Sequence, residues 1–155
     1  MSPRAACRLD RLGFAEVYDY APGKVDWLAH NLPTHGTLAD APTAGTRLRT
    51  DAVAASPEEP IGVIRARIEA SRYGFALVLT EDRTLLGRLR ESALDGDPDT
   101  PAEQVMEPGP VTIRPHEPLD RVAARLREHK LTTSLVTDPE GHFLGLVHRD
   151  DLSIY

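Results

Sequence analysis

Two stretches of this chain decide its fold: residues 57–94, PEEPIGVIRARIEASRYGFALVLTEDRTLLGRLRESAL, and residues 115–152, PHEPLDRVAARLREHKLTTSLVTDPEGHFLGLVHRDDL. They align without a gap at an offset of 58 positions, with identities that include Pro57/Pro115, Glu59/Glu117, Pro60/Pro118, Arg67/Arg125, Leu77/Leu135, Val78/Val136, Leu86/Leu144, Gly87/Gly145 and Leu94/Leu152. The physical pattern repeats with the letters. Each copy opens on a Glu-Pro step, which favours a helix start because proline suits the first helical position and disfavours helix before it. Ser56 with Glu59 also spells a capping box, but Pro60 sets the start nearer 60. Ile61, Ile64 and Ile68, matched by Leu119, Val122 and Leu126, mark one buried helix face that ends near Ser71 and Lys130.

Strands are expected next at Phe75–Leu79 and Ser134–Thr137, then turns at 80–83 and 138–141, then strands at Leu85–Leu89 and Phe143–Val147. A strand before each helix, Val53–Ala55 and Val111–Ile113, completes a strand–helix–strand–strand order. Thr100-Pro101-Ala102-Glu103 reads as an N-cap, a first-turn proline and a capping acid at the start of a short helix. Neither half has a complete core by itself. Packing one half on the other supplies it and leaves clefts between them suited to small ligands.

Composition narrows the function. The 155 residues carry 18 Lys+Arg against 24 Asp+Glu, a formal charge of −6, with 41% hydrophobic residues. That is the profile of a globular, cytoplasmic protein and not of a dedicated nucleic-acid binder, which would carry a basic excess. No apolar run has the length of a membrane span. A single cysteine, Cys7, excludes an internal disulfide and a cysteine zinc cage. The Asp95/Asp97/Asp99 run fails as a calcium loop, since position 6 is Thr100 and position 12 is Met106. The six histidines show no H-x-x-x-H or H-E-x-x-H spacing, and no phosphate loop, serine elbow or nucleophile–base pair is present. The chain reads as a non-enzyme.

Gln104-Val105-Met106-Glu107-Pro108 followed by Pro110–Pro115, and the closing run Gly141–Leu152, resemble the opening and ending of a CBS (cystathionine β-synthase-type) domain. The first unit is similar through Gly87, Leu89 and Leu94. The resemblance implies an α+β fold of tandem CBS repeats, each β-α-β-β-α, packed as a pseudo-twofold pair. It places repeat 1 with its linker at 37–96 and repeat 2 at 97–155. It further implies a regulatory module that binds an adenine nucleotide or other adenosyl ligand, AMP, ADP, ATP or S-adenosylmethionine, between the repeats, with no obligatory cofactor. Signalling would pass through a homodimer or a partner.

By that resemblance Asp151 receives the ribose hydroxyls, which an ionised carboxylate can accept. His148 stands where the family places a phosphate-contacting Thr or Ser, and a protonated ring would strengthen that contact at lower pH. Thr112 and the Thr132-Thr133-Ser134 strand start match the segments that hold the base. In the first unit the counterparts of Asp151 and His148 are Ala93 and Arg90, so that unit has no ribose acceptor; Arg90 and Arg88 remain as phosphate contacts. A module without ligand, serving only dimerisation, is the competing reading.

Residues 1–36 hold the only Trp. Ser2 and Pro3 suggest an N-capped helix that Gly13 ends, followed by a strand at Phe14–Tyr20. Leu12–Tyr20, Gly23–Leu28 and Asn31-Leu32-Pro33 resemble the end of a rhodanese domain. Cys7 falls where that family packs a small apolar residue, so burial is expected for it. The segment is expected to be a remnant, or the sign of a true start upstream of Met1 and of a truncated sulfurtransferase.

Overall fold

Among the described residues, 3–36 and 41–152 of a computed structural model, the secondary structure follows an order that repeats once. The elements are α1 (Pro3–Arg11), α2 (Lys24–Ala29), β1 (Val53–Ala55), α3 (Ile61–Glu69), β2 (Phe75–Leu79), β3 (Leu85–Arg90), α4 (Ala102–Val105), β4 (Glu107–Pro108), β5 (Thr112–Ile113), α5 (Leu119–Glu128), β6 (Thr133–Thr137) and β7 (Phe143–His148). Short 3-10 turns at Ala44–Arg47, Glu91–Ala93 and Arg149–Leu152 complete it, so each repeat closes on a 3-10 turn where an α-helix was expected. Ser2, the expected N-cap of α1, lies outside the described residues.

Pro60 and Pro118 sit one position earlier than expected. Both are extended, at ψ 137°, and serve as N-caps of α3 and α5. Pro101 does the same for α4. The Ser56–Glu59 pair forms a turn ahead of the helix, with Glu59 N–H donating to the Ser56 carbonyl at 3.1 Å.

Sheet order is β1-β2-β3-β4 in one half and β5-β6-β7 in the other, with a parallel first pair and an antiparallel second pair in each. Both hairpins shift register at equivalent points, Val78/Leu79 and Val136/Thr137. The strand alternation explains the core. Ala76 and Val78 face Ile61, Ile64 and Ile68 of α3, while Phe75, Leu77 and Leu79 face Leu135, Phe143 and Leu146 of the other half. β2 is therefore buried on both faces, and the two halves share one central layer.

A feature without a sequence signal of its own ties them further. The segment before each repeat packs on the opposite half. Ala44 N–H donates to the Glu117 carbonyl and Ala102 N–H to the Glu59 carbonyl, both at 2.9 Å. Gly45 N–H bonds the Pro115 carbonyl and Glu103 N–H the Pro57 carbonyl. Arg49 pairs with Leu146 through two backbone bonds, and Glu107 pairs in register with Arg88. All three correspondences obey the same 58-residue offset. Ala44 and Ala102, at 0% exposure, each enter the core of the half they do not precede.

The identical glycines of the repeat lie under these straps. A Cβ on Gly87 would collide with Met106 Sδ, and one on Gly145 would meet the Arg49 carbonyl at 2.9 Å. No side chain fits between strand and strap at either place.

Residues 14–20 form no strand, contrary to expectation. A lone strand needs a partner to take its N–H and C=O groups, and none is supplied. Instead residues 20–33 close on themselves: Tyr20 and Trp27 meet edge to face at 5.1 Å, and Trp27 Nε1–H donates to the Pro33 carbonyl at 2.9 Å. This arm docks on the second half through His30, whose Nε2 lies 2.8 Å from Glu140 Oε2. Cys7 is exposed, not buried.

Candidate functional site

The repeat creates two clefts at equivalent places. Val53, Arg67, Arg72 and Tyr73 line the first, of about 420 Å³. Their counterparts Val111, Arg125, Lys130 and Leu131 line the second, of about 500 Å³. Equivalent backbone does not give equivalent chemistry.

In the first cleft the cations are already satisfied. Arg67 is paired with Glu59 and donates from Nη1 to the Ala54 carbonyl at 2.9 Å. Arg72 Nε lies 3.8 Å from Asp51, and the Tyr73 hydroxyl donates to the same carboxylate at 2.5 Å. That hydroxyl holds the Asp51 carboxyl below the usual carboxylate range. Asp151 lines neither cleft. Arg49 donates from Nε and Nη2 to its two oxygens, each at 2.6 Å, and the bidentate bond holds its pKa below the ordinary value. His148 packs its ring 6.1 Å from Tyr73, and its Nδ1 accepts the Asp150 N–H at 3.2 Å.

The second cleft is different. β3 alternates so that Leu89 is buried while Arg88 and Arg90 face the opening. Both arginines bond Glu107, Arg88 Nη2 at 2.9 Å and Arg90 Nε at 2.8 Å, which draws the Glu107 carboxyl down. Arg125 and Lys130 have no carboxylate partner among the described residues. Thr132, Thr133, Ser134 and Ser92 add hydroxyls, and Tyr73, Phe75 and Leu135 add an apolar wall. Four cations beside hydroxyls and aromatic surface suit a ligand that is anionic at one end and flat and apolar at the other.

The residues expected from sequence to form one site are therefore divided. Thr132, Thr133 and Ser134 line the second cleft with Arg88 and Arg90, whereas Asp151 and His148 line neither cleft: Asp151 is held by Arg49, and His148, in register with Thr133, packs near Tyr73. Thr112 lines neither; its hydroxyl accepts from Thr137 Oγ1 at 3.1 Å. Arg125 and Lys130 were missed, because on the sequence they are two more charges on a solvated helix end. The repeat itself held the signal, since Arg125 is one of its identities.

Comparison with known proteins agrees with this architecture. Residues 102–155 match the model of the CBS domain family. Among solved structures, the CBS domains of a transcriptional regulator from Streptococcus pneumoniae superpose with TM-score 0.64 at 16% identity, covering 73% of this chain and 98% of that one. A CBS domain protein from Pyrobaculum aerophilum complexed with AMP gives 0.60 at 19% identity, covering 74% and 92%. The cytosolic domain of the Mg2+ channel MgtE in complex with ATP gives 0.64 at 24% identity, covering 74% of this chain and 50% of that one. The chain thus spans about half the length of the magnesium-transport structures it matches. No curated relative matches it by sequence. The fold is that of a CBS pair. Nothing among these matches supports a rhodanese origin for residues 1–36. No helix among the described residues is long and apolar enough to cross a membrane.

Proposed function

We propose that this chain is a cytoplasmic regulatory module that senses an adenine nucleotide or related adenosyl ligand in the cleft between its repeats. The observation that carries the reading is the second cleft, where Arg125 and Lys130 stand without carboxylate partners beside Arg88, Arg90 and the Thr132–Ser134 edge. AMP and ATP are the molecules bound by two of the similar structures. An arginine fork matches phosphate oxygens in two places at once, and Tyr73 and Phe75 offer aromatic surface to a base. Asp151, the ribose acceptor that the resemblance implies, already has both oxygens taken by Arg49. One ligand per chain is the expected stoichiometry.

Because β2 is buried against both halves, a ligand held between them biases their relative angle, and that angle is the output passed to a homodimer contact or partner. Isothermal calorimetry with AMP, ADP, ATP and S-adenosylmethionine tests the reading. Saturable heat from at least one, at one site per chain, is expected. No heat from any of the four favours a module that serves only dimerisation, and light scattering with and without nucleotide then reports whether the dimer exists at all.

A further inference from the structure

The arm and the second repeat form a further cavity, lined by residues of neither cleft. It measures about 460 Å³, within the range of small-molecule sites. Leu28 and Leu32 of the arm and Pro115 of the repeat form its apolar wall, and Lys24, His35 and His116 reach its edge. The chain carries 24 acids, yet no carboxylate lines this cavity among the described residues. Among the described residues its polar side holds one cation, Lys24, with the neutral groups of Asn31, Thr34, Thr43 and Thr46 and two histidines.

His116 adds a second observation. Its Nδ1 is sealed from water and has no hydrogen-bond partner. An orphaned N–H costs more than an unshared lone pair, so the ring proton is assigned to Nε2. Nε2 also lacks a protein partner among the described residues and is not sealed, so its N–H is available to a ligand on a residue that lines the cavity. Lys24 takes part in no ion pair there either.

We propose that the cavity between the N-terminal arm and the second repeat binds a small amphipathic acid, its carboxylate held by Lys24 and His116 and its apolar body by Leu28, Leu32 and Pro115. A ligand there touches the arm and the repeat together, so it fixes the arm on the module. The site shares no lining residue with either cleft.

The test is a titration of the full chain with 3-phenylpropionate, followed by backbone amide NMR, with 3-phenylpropionamide as the uncharged control. Saturable shifts are expected at Leu28, Asn31 and His116 with the acid and not with the amide. The exposed Lys24→Gln change should weaken the acid by about tenfold, as loss of one charge-assisted contact does. His116→Phe, which keeps the ring and removes the donor, should weaken it similarly, and unchanged amide positions elsewhere show that both variants remain folded. Absent shifts, equal binding of acid and amide, or undiminished affinity in both variants each overturns the proposal.

Discussion

At the scale of single residues, the ion pair between Arg49 and Asp151 has the clearest consequences. Its partners lie 102 positions apart and close in bidentate geometry. Asp151 has a folded pKa below its unfolded value, so its contribution is fully present above about pH 4 and is lost as pH falls through the folded value. Asp151→Asn should therefore lower the melting temperature by a few degrees at pH 7, with the gap to the parent protein closing toward pH 2–3, where denaturant titration measures it. Gly145 is the second such residue. Gly145→Ala places a methyl against the Arg49 carbonyl and should cost about 1–3 kcal/mol in urea unfolding, as overpacking does. Gly109, whose Cβ would meet nothing but whose φ is +58°, is a useful contrast in which only backbone strain acts. Cys7 makes a third prediction. Exposed as it is, it should react with Ellman's reagent in the folded protein to one equivalent; a thiol silent until denaturant is added would contradict its position on the surface of α1.

At the scale of elements, periodicity made most of the repeat legible. Ile61, Ile64 and Ile68, with Leu119, Val122 and Leu126, are all buried as their spacing requires. Strands β1 and β2 fall on the predicted residues because an apolar run bounded by turns has few alternatives. The straps were not legible. They act mainly through backbone hydrogen bonds, which no side chain announces, and their chemistry even reverses sign between copies: Arg49 meets an acid where Glu107 meets two arginines. The arm misled for a different reason, since a local run such as Phe14–Tyr20 states a preference but not whether a partner strand exists. The hairpin tips join the halves through Thr84 and His142, with His142 held by Asp138 at 2.7 Å and Asp82 3.7 Å away. The Asp138 hydrogen bond raises the His142 pKa, so its stabilisation is complete below about pH 6.5 and fades as pH rises through the folded value. His142→Gln should consequently destabilise more at pH 5.5 than at pH 8.5; equal effects at both would remove the charge from the account.

At the scale of the molecule, two half-cores and one shared layer make a pair that cannot be divided without exposing Phe75, Leu77, Leu135 and Leu146. The second cleft lies beside that shared layer, so a ligand held there would be physically linked to the relation between the halves. The sequence reading gathers the ligand contacts around Asp151, because a resemblance transfers positions and not the pairing that a particular chain makes, here with Arg49. Arg49 takes both oxygens of Asp151, and the cations without carboxylate partners, Arg125 and Lys130, lie in the second cleft. The most direct test compares ATP affinity in three chains by calorimetry: the parent, Arg125→Gln with Lys130→Gln, and Asp151→Asn. The cleft assignment predicts a loss of about tenfold or more in the double variant, from two charge-assisted contacts, with affinity retained in Asp151→Asn. Retained affinity in the double variant together with its loss in Asp151→Asn would contradict it and place the ligand at Asp151.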